Sequence, residues 1–210
     1  MKESRPQGPD RAQRKMPWRT VDLASLDFEA TGLDLTRDRI ISLGVVPIEG
    51  GRIDVGRSVY ELVDPGEVEL TRESVAIHGL RPVDVRGASS TDAARETLRK
   101  ALAGRFLITW YATVEASFLA KLFGTRPTRW MRRSIDVRKL VLGVLGAEGA
   151  RLTLEQAAAH FDVPVASPHH ALDDALVTAQ LFLVTASKLG SAGVQTPRDL
   201  MRVGAEPYGR

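Results

Sequence analysis

The sequence contains no cysteine. This absence excludes disulfides and thiolate zinc sites, so histidine, aspartate and glutamate are the expected metal ligands. Long apolar runs are also absent, because the longest one, residues 140–147, is far shorter than the roughly 20 residues of a membrane-spanning helix. The N-terminus has no apolar segment that would act as a secretory signal. We therefore expect a cytoplasmic protein that does not contact a membrane.

Outside the N-terminal segment, acidic and basic residues are nearly equal in number. The whole chain has a net charge of +3, and its first 20 residues carry six basic and two acidic side chains, so the remaining residues have a net charge of −1. Charge alone therefore does not identify a partner for the main part of the chain. Residues 1–19 lack any periodicity, which predicts a basic disordered tail, and residues 190–210 are predicted to form a C-terminal tail.

Between these tails, residues 20–189 show the periodicities of one domain with both strands and helices. Strand-like runs come first, then helical spacing interrupted by one further strand. The predicted strands cover residues 21–28, 39–48, 53–63 and 105–110, and the predicted helices cover residues 90–103, 114–123, 136–145 and 153–160, with a long one from Ser167-Pro168 to about residue 189. This order predicts an α/β domain with a single mixed sheet.

Two acids end the first strand. Asp27 and Glu29 are two residues apart, so their side chains project to the same side of an extended strand. Adjacent carboxylates repel each other, and a divalent cation such as magnesium or manganese is their usual neutraliser. The alternative is that the strand simply ends in solvent, where acids are soluble.

A second acidic pair occurs near the C-terminus, in the stretch PHHALDDALVTAQLF. His169 precedes Asp174 by five residues at the start of a predicted helix. A histidine beside a carboxylate can accept a proton from water near neutral pH. His170 and Asp173 are the competing candidates for these two roles. In isolation the pattern also suits polar residues in the first turn of a helix.

Taken together, these segments resemble a known family. LDFEATGL resembles the first motif, DxExTGL, of the DEDD 3′–5′ exonucleases, and HHALDDA resembles the third motif, HxAxxDA, of their histidine-bearing DEDDh branch. His78-Gly79-Leu80 is similar to the HG(I/L) element of this branch. The order and spacing agree over about residues 20–188. The resemblance implies a ribonuclease H-like fold, in which helices flank a mixed central β-sheet in a single domain.

The second motif of the family departs from its usual pattern here. The family typically has HNxxFDxxFL, whereas residues 110–119 read WYATVEASFL. Glu115 stands where the family has a metal-binding aspartate, and Trp110-Tyr111 replaces the His-Asn pair. Glutamate keeps the charge of aspartate but is longer by one methylene group, which changes the geometry of a metal ligand.

The resemblance implies a metal-dependent 3′–5′ exonuclease. It would hydrolyse phosphodiester bonds from the 3′ end of DNA and release nucleoside 5′-monophosphates, with RNA as an open alternative. His169 would be the general base, and two Mg²⁺ or Mn²⁺ ions would be bound by four carboxylates. The implied metal ligands are Asp27, Glu29, Glu115 and Asp174. The implied substrate-binding residues are Thr31, Gly32, Leu33 and His78, although His78 is also a candidate loop cap.

The expected partner is nucleic acid with a free 3′ end, together with a DNA polymerase subunit if the chain proofreads. An arginine-rich segment containing Arg126, Arg129, Arg132 and Arg133 could contact phosphates at the rim of the site, as could Arg37 and Arg39, and Trp130 could stack on a base. The alternative for that segment is an ordinary solvated loop. The alternative function is a catalytically weakened module that binds 3′ ends or a polymerase, which the changes at Glu115 and Trp110-Tyr111 favour.

Overall fold

The structure, a computed structural model, describes residues 6–204. One mixed sheet is formed by β1 (Leu23–Ala30), β2 (Ile40–Glu49), β3 (Arg52–Ile53), β4 (Val59–Leu62), β5 (Phe106–Thr109) and β6 (Ser134–Asp136). The helices are α1 (Arg72–His78), α2 (Pro82–Val85), α3 (Thr91–Ala101), α4 (Ala112–Leu122), α5 (Pro127–Met131), α6 (Val137–Leu145), α7 (Leu154–His160), α8 (Ala171–Gly190) and α9 (Pro197–Leu200).

The strands lie in the order β3-β2-β1-β5-β6, and β4 also pairs with β2. β1 is antiparallel to β2 and parallel to β5, which in turn is parallel to β6. The mixed sheet with its flanking helices agrees with the α/β prediction. Because β1 and β5 are parallel neighbours, residues that follow their carboxyl ends lie at one edge of the sheet.

Helices cover both faces of this sheet, as the alternation of side chains along β1 requires. Leu23 faces the core that contains α6, α7 and α8. Ala24 and Leu26 face the opposite core, which α3 and α4 complete. Odd-numbered side chains of β1 therefore point towards α8, and even-numbered ones point towards α3 and α4.

The hairpin predicted over residues 53–63 is present but is not one continuous strand. β3 and β4 pair with different parts of β2, and a 3-10 turn over Val55–Arg57 separates them. Arg57 in this turn forms ion pairs with Asp54, at 2.6 Å, and with Glu49. These pairs stabilise a local turn, which the alternating apolar pattern alone did not show.

Residues 1–19 were predicted to be a disordered tail, but the structure shows that part of this segment is folded. Residues 12–15 and 18–20 form 3-10 turns. Trp18 is only 2% exposed and packs edge-on against Phe182 of α8, with 5.1 Å between the ring centroids. Burying an aromatic ring of this size outweighs the polar composition of the segment around it. Residues 1–5 of the predicted tail lie outside the described residues.

The predicted C-terminal tail is also partly folded. α9 begins at a capping box in which Thr196 and Asp199 exchange backbone hydrogen bonds, and Leu200 is buried in the core beside α8. Residues 205–210 lie outside the described residues. The boundaries of residues 20–189 as a separate functional domain remain a prediction.

Most of the predicted helices are confirmed, with caps at the expected residues. Ser90 caps α3, and Thr153 and Gln156 form the capping box that begins α7. The long helix begins later than predicted, at Ala171 instead of at Ser167-Pro168, because His169 adopts a left-handed backbone conformation with φ of 60°.

Candidate active site

The carboxylates of Asp27 and Glu29 lie at the carboxyl end of β1, on the face covered by α8, as the two-residue spacing predicts. Burial, followed by the nearby charges of Glu115, Glu29 and Asp174, raises the pKa of Asp27 well above its ordinary value. Burial and the charge of Asp174 raise the pKa of Glu29 to about 8. Both acids therefore occupy surroundings that disfavour their charged form in the absence of a counter-ion.

The first turn of α8 supplies the second set of polar groups. The backbone N–H of His169 donates to Oδ2 of Asp174 at 3.0 Å, and this contact fixes the carboxylate. Burial raises the pKa of Asp174 to about 6, although the hydrogen bond from His169 opposes this effect. Asp174 is buried, with 7% of its surface exposed.

The two candidate histidines lie in different surroundings. His169, Glu29 and Asp174 each present a ligand atom, and these atoms lie within 4.8 Å of one another. The ring of His170 instead stacks on Tyr60 at 4.3 Å, and its Nδ1 lies 3.6 Å from Asp173. The structure thus brings His169 and Asp174 together with Glu29, and it places His170 and Asp173 beside each other.

Gly44 allows α8 to approach the sheet closely enough to form this cluster. Gly44 of β2 is opposite Asp27 in the register of β1 and β2. A Cβ atom at this position would lie 2.5 Å from the Cα of Leu172 and even closer to the carbonyl group of Ala171. Only glycine accommodates this backbone contact, so the start of α8 is held directly over the end of β1.

Glu115, in the first turn of α4, completes the set of acids. It is 6% exposed, and burial, together with the nearby charge of Asp136, raises its pKa to about 8. Its charge is one of the causes of the raised pKa of Asp27, so the two carboxylates are neighbours. Glu115 is not an exposed acid on the surface of an amphipathic helix. Asp136, which the sequence analysis did not identify, accepts hydrogen bonds from Ala112 and Lys139 and so caps α6 and fixes the start of α4.

The donor set fits divalent metal ions. Carboxylate oxygens and one imidazole are ligands that Mg²⁺ and Mn²⁺ accept. Oε2 of Glu115 and Oδ1 of Asp174 are buried, and neither has a hydrogen-bond partner within residues 6–204. Buried acceptors without partners are costly, and a cation would satisfy them and offset the repulsion between the carboxylates.

A cavity of about 510 Å³ opens over these acids. Tyr111, Arg138, Arg151 and Glu155 line it together with Asp27, Glu29, His169 and Asp174. The guanidinium of Arg138 lies 4.8 Å from the centre of the Tyr111 ring. Arg138 and Arg151 are basic groups that the sequence analysis missed, because neither belongs to a motif and only the packing of α6 and the following turn brings them here.

Three of the predicted substrate-binding residues, Thr31, Gly32 and Leu33, follow the end of β1, and none of them lines the cavity over the acids. The hydroxyl of Thr31 is buried and donates to Asp38 at 2.8 Å, and Gly32 passes so close to Asp38 that a Cβ atom would lie 2.5 Å from its carboxylate. Leu33 is 77% exposed, which leaves its side chain free for a ligand. Asp38 therefore organises this loop, a role that no sequence pattern indicated.

The ring of His78 serves the turn that follows α1, where Nδ1 accepts a hydrogen bond from the backbone N–H of Leu80 at 3.0 Å. Burial, followed by the nearby His169, lowers its pKa. His78 is thus close to the cluster and also caps a loop. Its role in binding a substrate remains a prediction.

The predicted rim contacts of the arginine-rich segment are not found at this site. Arg126, Arg129, Arg132 and Arg133 line a different cavity, near the C-terminal end of α4. Trp130 is 2% exposed, and its indole N–H donates to Thr125 at 2.7 Å, so it belongs to the core and is not available to stack on a base. Arg39 donates to the backbone carbonyl groups of Arg37 and Asp38.

Comparison with known proteins agrees with this fold. The RNase T family model, described as an exonuclease, matches residues 25–182. The chain is 30% identical over 173 residues to a DNA polymerase III PolC-type protein of Thermotoga maritima, a match that covers 80% of this chain. The chain spans only 12% of the length of that relative.

Solved structures share the architecture at low sequence identity. E. coli exonuclease I in complex with a dT13 oligonucleotide has a TM-score of 0.69 and 14% identity, over 83% of this chain and 43% of that one. The nuclease domain of 3′hExo, a DEDDh family member bound to rAMP, has a TM-score of 0.68 and 16% identity, over 86% of this chain and 97% of that one. The fold is the ribonuclease H-like fold predicted from the sequence. The chain belongs to the RNase T family of exonucleases.

Proposed function

We propose that this chain is a metal-dependent 3′–5′ exonuclease that releases nucleoside 5′-monophosphates from the 3′ end of a DNA strand. The observation that carries this proposal is the convergence of four acids from three separate elements, together with His169, at one edge of the sheet. The acids are Asp27, Glu29, Glu115 and Asp174, and all of them except Glu115 line one cavity. Two of their oxygens are buried without a hydrogen-bond partner in the described part of the chain.

The four carboxylates would hold the metal ions. When bound, two divalent ions would supply positive charge at the scissile phosphate and make the attacking water more acidic. His169 is exposed at the cavity and adjoins Glu29 and Asp174, so it can accept the proton of that water. Leu33, with the backbone of residues 31–33, would hold the terminal nucleotide against the end of β1.

The changed second motif favours a second candidate function, a binding module with weakened catalysis. Trp110 and Tyr111 replace a polar pair that the family normally presents, and Glu115 is longer than the usual aspartate. These changes favour a module that holds a 3′ end, or a polymerase, with weakened catalysis. The burial of Glu115 beside Asp27 favours the enzyme, because an acid without a role would be expected to face solvent.

A nuclease assay tests these two functions. The protein is incubated with a 5′-labelled oligonucleotide and Mg²⁺ or Mn²⁺, and DNA and RNA strands with free or blocked 3′ ends are compared. We expect a ladder of shortened strands that a blocked 3′ end and a chelator both abolish. Tight binding without shortening in either metal would favour the module. Cleavage that a blocked 3′ end does not affect would contradict both.

A polymerase partner belongs to the same proposal. The relative from Thermotoga maritima is a DNA polymerase III protein, which supports a role in replication or repair. Residues 6–204 contain no helix that is long and apolar enough to cross a membrane. Co-purification with the replicative polymerase of its own organism would test the proofreading role.

A further inference from the structure

A large basic cavity lies apart from the acidic site. Its volume is about 1030 Å³, and no carboxylate lines it within residues 6–204. We call it the arginine cavity, and it is defined by Arg11, Arg14, Arg126, Arg129, Arg132 and Arg133. Two of these come from the N-terminal segment and four from α5 and its flanks, so the fold assembles the cluster from distant parts of the sequence.

A second basic cavity adjoins it. This cavity, of about 910 Å³, shares Arg11 and Arg14 with the arginine cavity and adds Lys15, Arg198 and Arg202. The ion pairs of residues 6–204 involve none of these nine basic side chains. Asp199, whose charge lies near Arg198, accepts hydrogen bonds from Thr196 and caps α9. Because the two cavities share Arg11 and Arg14, they form one extended basic surface, in which Arg14 donates to the backbone carbonyl group of Arg132.

Arg133 is the buried member of this surface, and its guanidinium lies over the Trp130 ring, 4.6 Å from the centroid. Only 7% of the residue is exposed, and its Nη1 donates weakly, at 3.3 Å, to the backbone carbonyl groups of Gln7 and Leu102. Its Nη2 is buried and has no hydrogen-bond acceptor among the described residues. Burial and the nearby Arg129 lower its pKa to about 10. A buried guanidinium in this position would be stabilised by an oxyanion.

The arginine cavity is distant from the acids. Gly124 and Thr125, which follow the end of α4, line it, whereas Glu115 is in the first turn of the same helix. From Glu115 to Leu122, the last residue of α4, the helix rises about 10 Å at 1.5 Å per residue. A stacked strand advances about 3.4 Å per nucleotide, so about three nucleotides would span this part of the helix.

We propose that the arginine cavity and the adjoining basic cavity bind the phosphates of a nucleic-acid strand away from the catalytic site. A single inorganic anion would need only a few of these cations, whereas a phosphodiester backbone presents one charge per nucleotide along the whole surface. Arginine is suited to this contact because its planar fork binds phosphate in a bidentate manner. The choice of nucleic acid as the polyanion rests on the proposed function.

The test measures binding without cleavage. Fluorescently labelled single-stranded DNA is titrated with the full chain in EDTA at several salt concentrations. The variant carries Arg126→Gln, Arg129→Gln and Arg132→Gln, since all three side chains are exposed and their replacement should not disturb the core. We expect about tenfold weaker binding, and a slope of log affinity against log salt that is smaller by about 2, because each lost contact to a single strand removes about 0.7.

A matched control removes the same charge elsewhere. Arg52→Gln, Arg86→Gln and Lys188→Gln also replace exposed side chains, and none of them lines either cavity. The proposal is supported if only the cavity variant loses affinity and slope. It is overturned if both variants bind alike, or if inorganic phosphate or polyglutamate displaces the DNA from the wild-type chain as well as unlabelled DNA does.

Measuring the cleavage of short and long strands distinguishes a failure of this proposal from a failure of the proposed function. The cavity variant should cleave a dinucleotide, which is too short to reach both sites, at the wild-type rate, and a long strand with a raised KM. If the wild-type chain cleaves nothing, the proposed function fails while the binding comparison still tests the arginine cavity. If cleavage occurs and the variant has an unchanged KM on long strands, the arginine cavity does not bind substrate.

Discussion

His169 and His170 are adjacent in sequence but have different contacts, and this difference predicts different effects on catalysis. His169→Ala removes the imidazole that adjoins Glu29 and Asp174. We expect kcat to fall by about 10²–10⁴-fold, the usual contribution of a general base. His170→Ala removes a ring that stacks on Tyr60 and should change kcat by less than about tenfold. Steady-state rates on a 5′-labelled strand, with circular dichroism to confirm folding, would measure both. A larger loss in the second variant would place the base one residue later.

Glu115 allows activity and stability to be separated. Glu115→Gln keeps the size of the side chain and removes its charge, so we expect turnover to fall by about 100-fold or more. The same change should raise the Tm of the chelated protein at about pH 8, because it removes a buried carboxyl group whose pKa is about 8. Glu115→Asp is the matched control and should retain more activity. If the Gln variant kept full activity, Glu115 would not be a ligand.

The orientation of individual acids could be predicted from the sequence more readily than the placement of individual basic and aromatic side chains. The spacing of Asp27 and Glu29 follows from the geometry of a single strand, so local sequence was sufficient to orient both. The placement of Arg129 and the burial of Trp130 depend on how α5 packs against the rest of the fold. No short motif encodes that packing, so the sequence left rim contacts and an ordinary solvated loop as alternatives for this segment.

Among the structural elements, the contact between α8 and β2 at Gly44 determines whether the site forms. Gly44→Ala would force a methyl group into the backbone of Ala171 and Leu172. We expect a loss of about 1–3 kcal/mol in the free energy of unfolding, together with reduced activity, because the helix that carries Asp174 must shift. Denaturant titration and the nuclease assay would measure the two effects.

Gly190 provides the control for this prediction on the same helix. A Cβ atom there would meet nothing within 4 Å, and Gly190 is the last residue of α8. Gly190→Ala should therefore leave activity unchanged and have a neutral or slightly stabilising effect, up to about 1 kcal/mol. Equal losses in the two variants would mean that the close approach at Gly44 does not position the site.

The elements predicted from sequence were those with local signals. Ser90 and Thr153 cap their helices in the structure because a cap depends on residues within one turn. The folded N-terminal segment could not be predicted in this way. Its polar composition indicated disorder, whereas the contact of Trp18 with Phe182, far along the chain, decides its structure. The left-handed backbone at His169 likewise has no local signal, because residues other than glycine rarely adopt it.

The whole molecule separates its charges. Acids with raised pKa values gather at the carboxyl ends of β1 and β5, while unpaired arginines gather near the C-terminal end of α4. The nearly neutral composition of residues 21–210 conceals this separation, because a sum over the chain carries no information about position. The two sites have opposite charge: bound cations would stabilise the acids, and the proposed nucleic-acid phosphates would stabilise the arginines.

The same acids make the stability of the whole molecule depend on pH and on metal. Burial raises the pKa of Glu29 and Glu115 from 4.5 to about 8 in the folded chain. The folded state therefore holds protons that the unfolded state has already released, so stability is greatest below about pH 4.5 for these groups and falls as the pH rises towards 8. We expect the Tm in EDTA to be lower by more than about 5 °C at pH 8 than at pH 5.

Divalent ions should reverse this dependence, because they bind the ionised carboxylates of the folded state only. In Mn²⁺ or Mg²⁺, the Tm should rise with pH over the same interval. A variant with Glu29→Gln and Glu115→Gln serves as the control and should lose most of both effects. Surface acids such as Asp84 and Glu96, whose ion pairs with arginine lower their pKa to about 2, release their protons below this interval and do not obscure it. A flat Tm in EDTA, unaffected by Mn²⁺ at pH 8, would show that the acids do not form one metal-binding cluster.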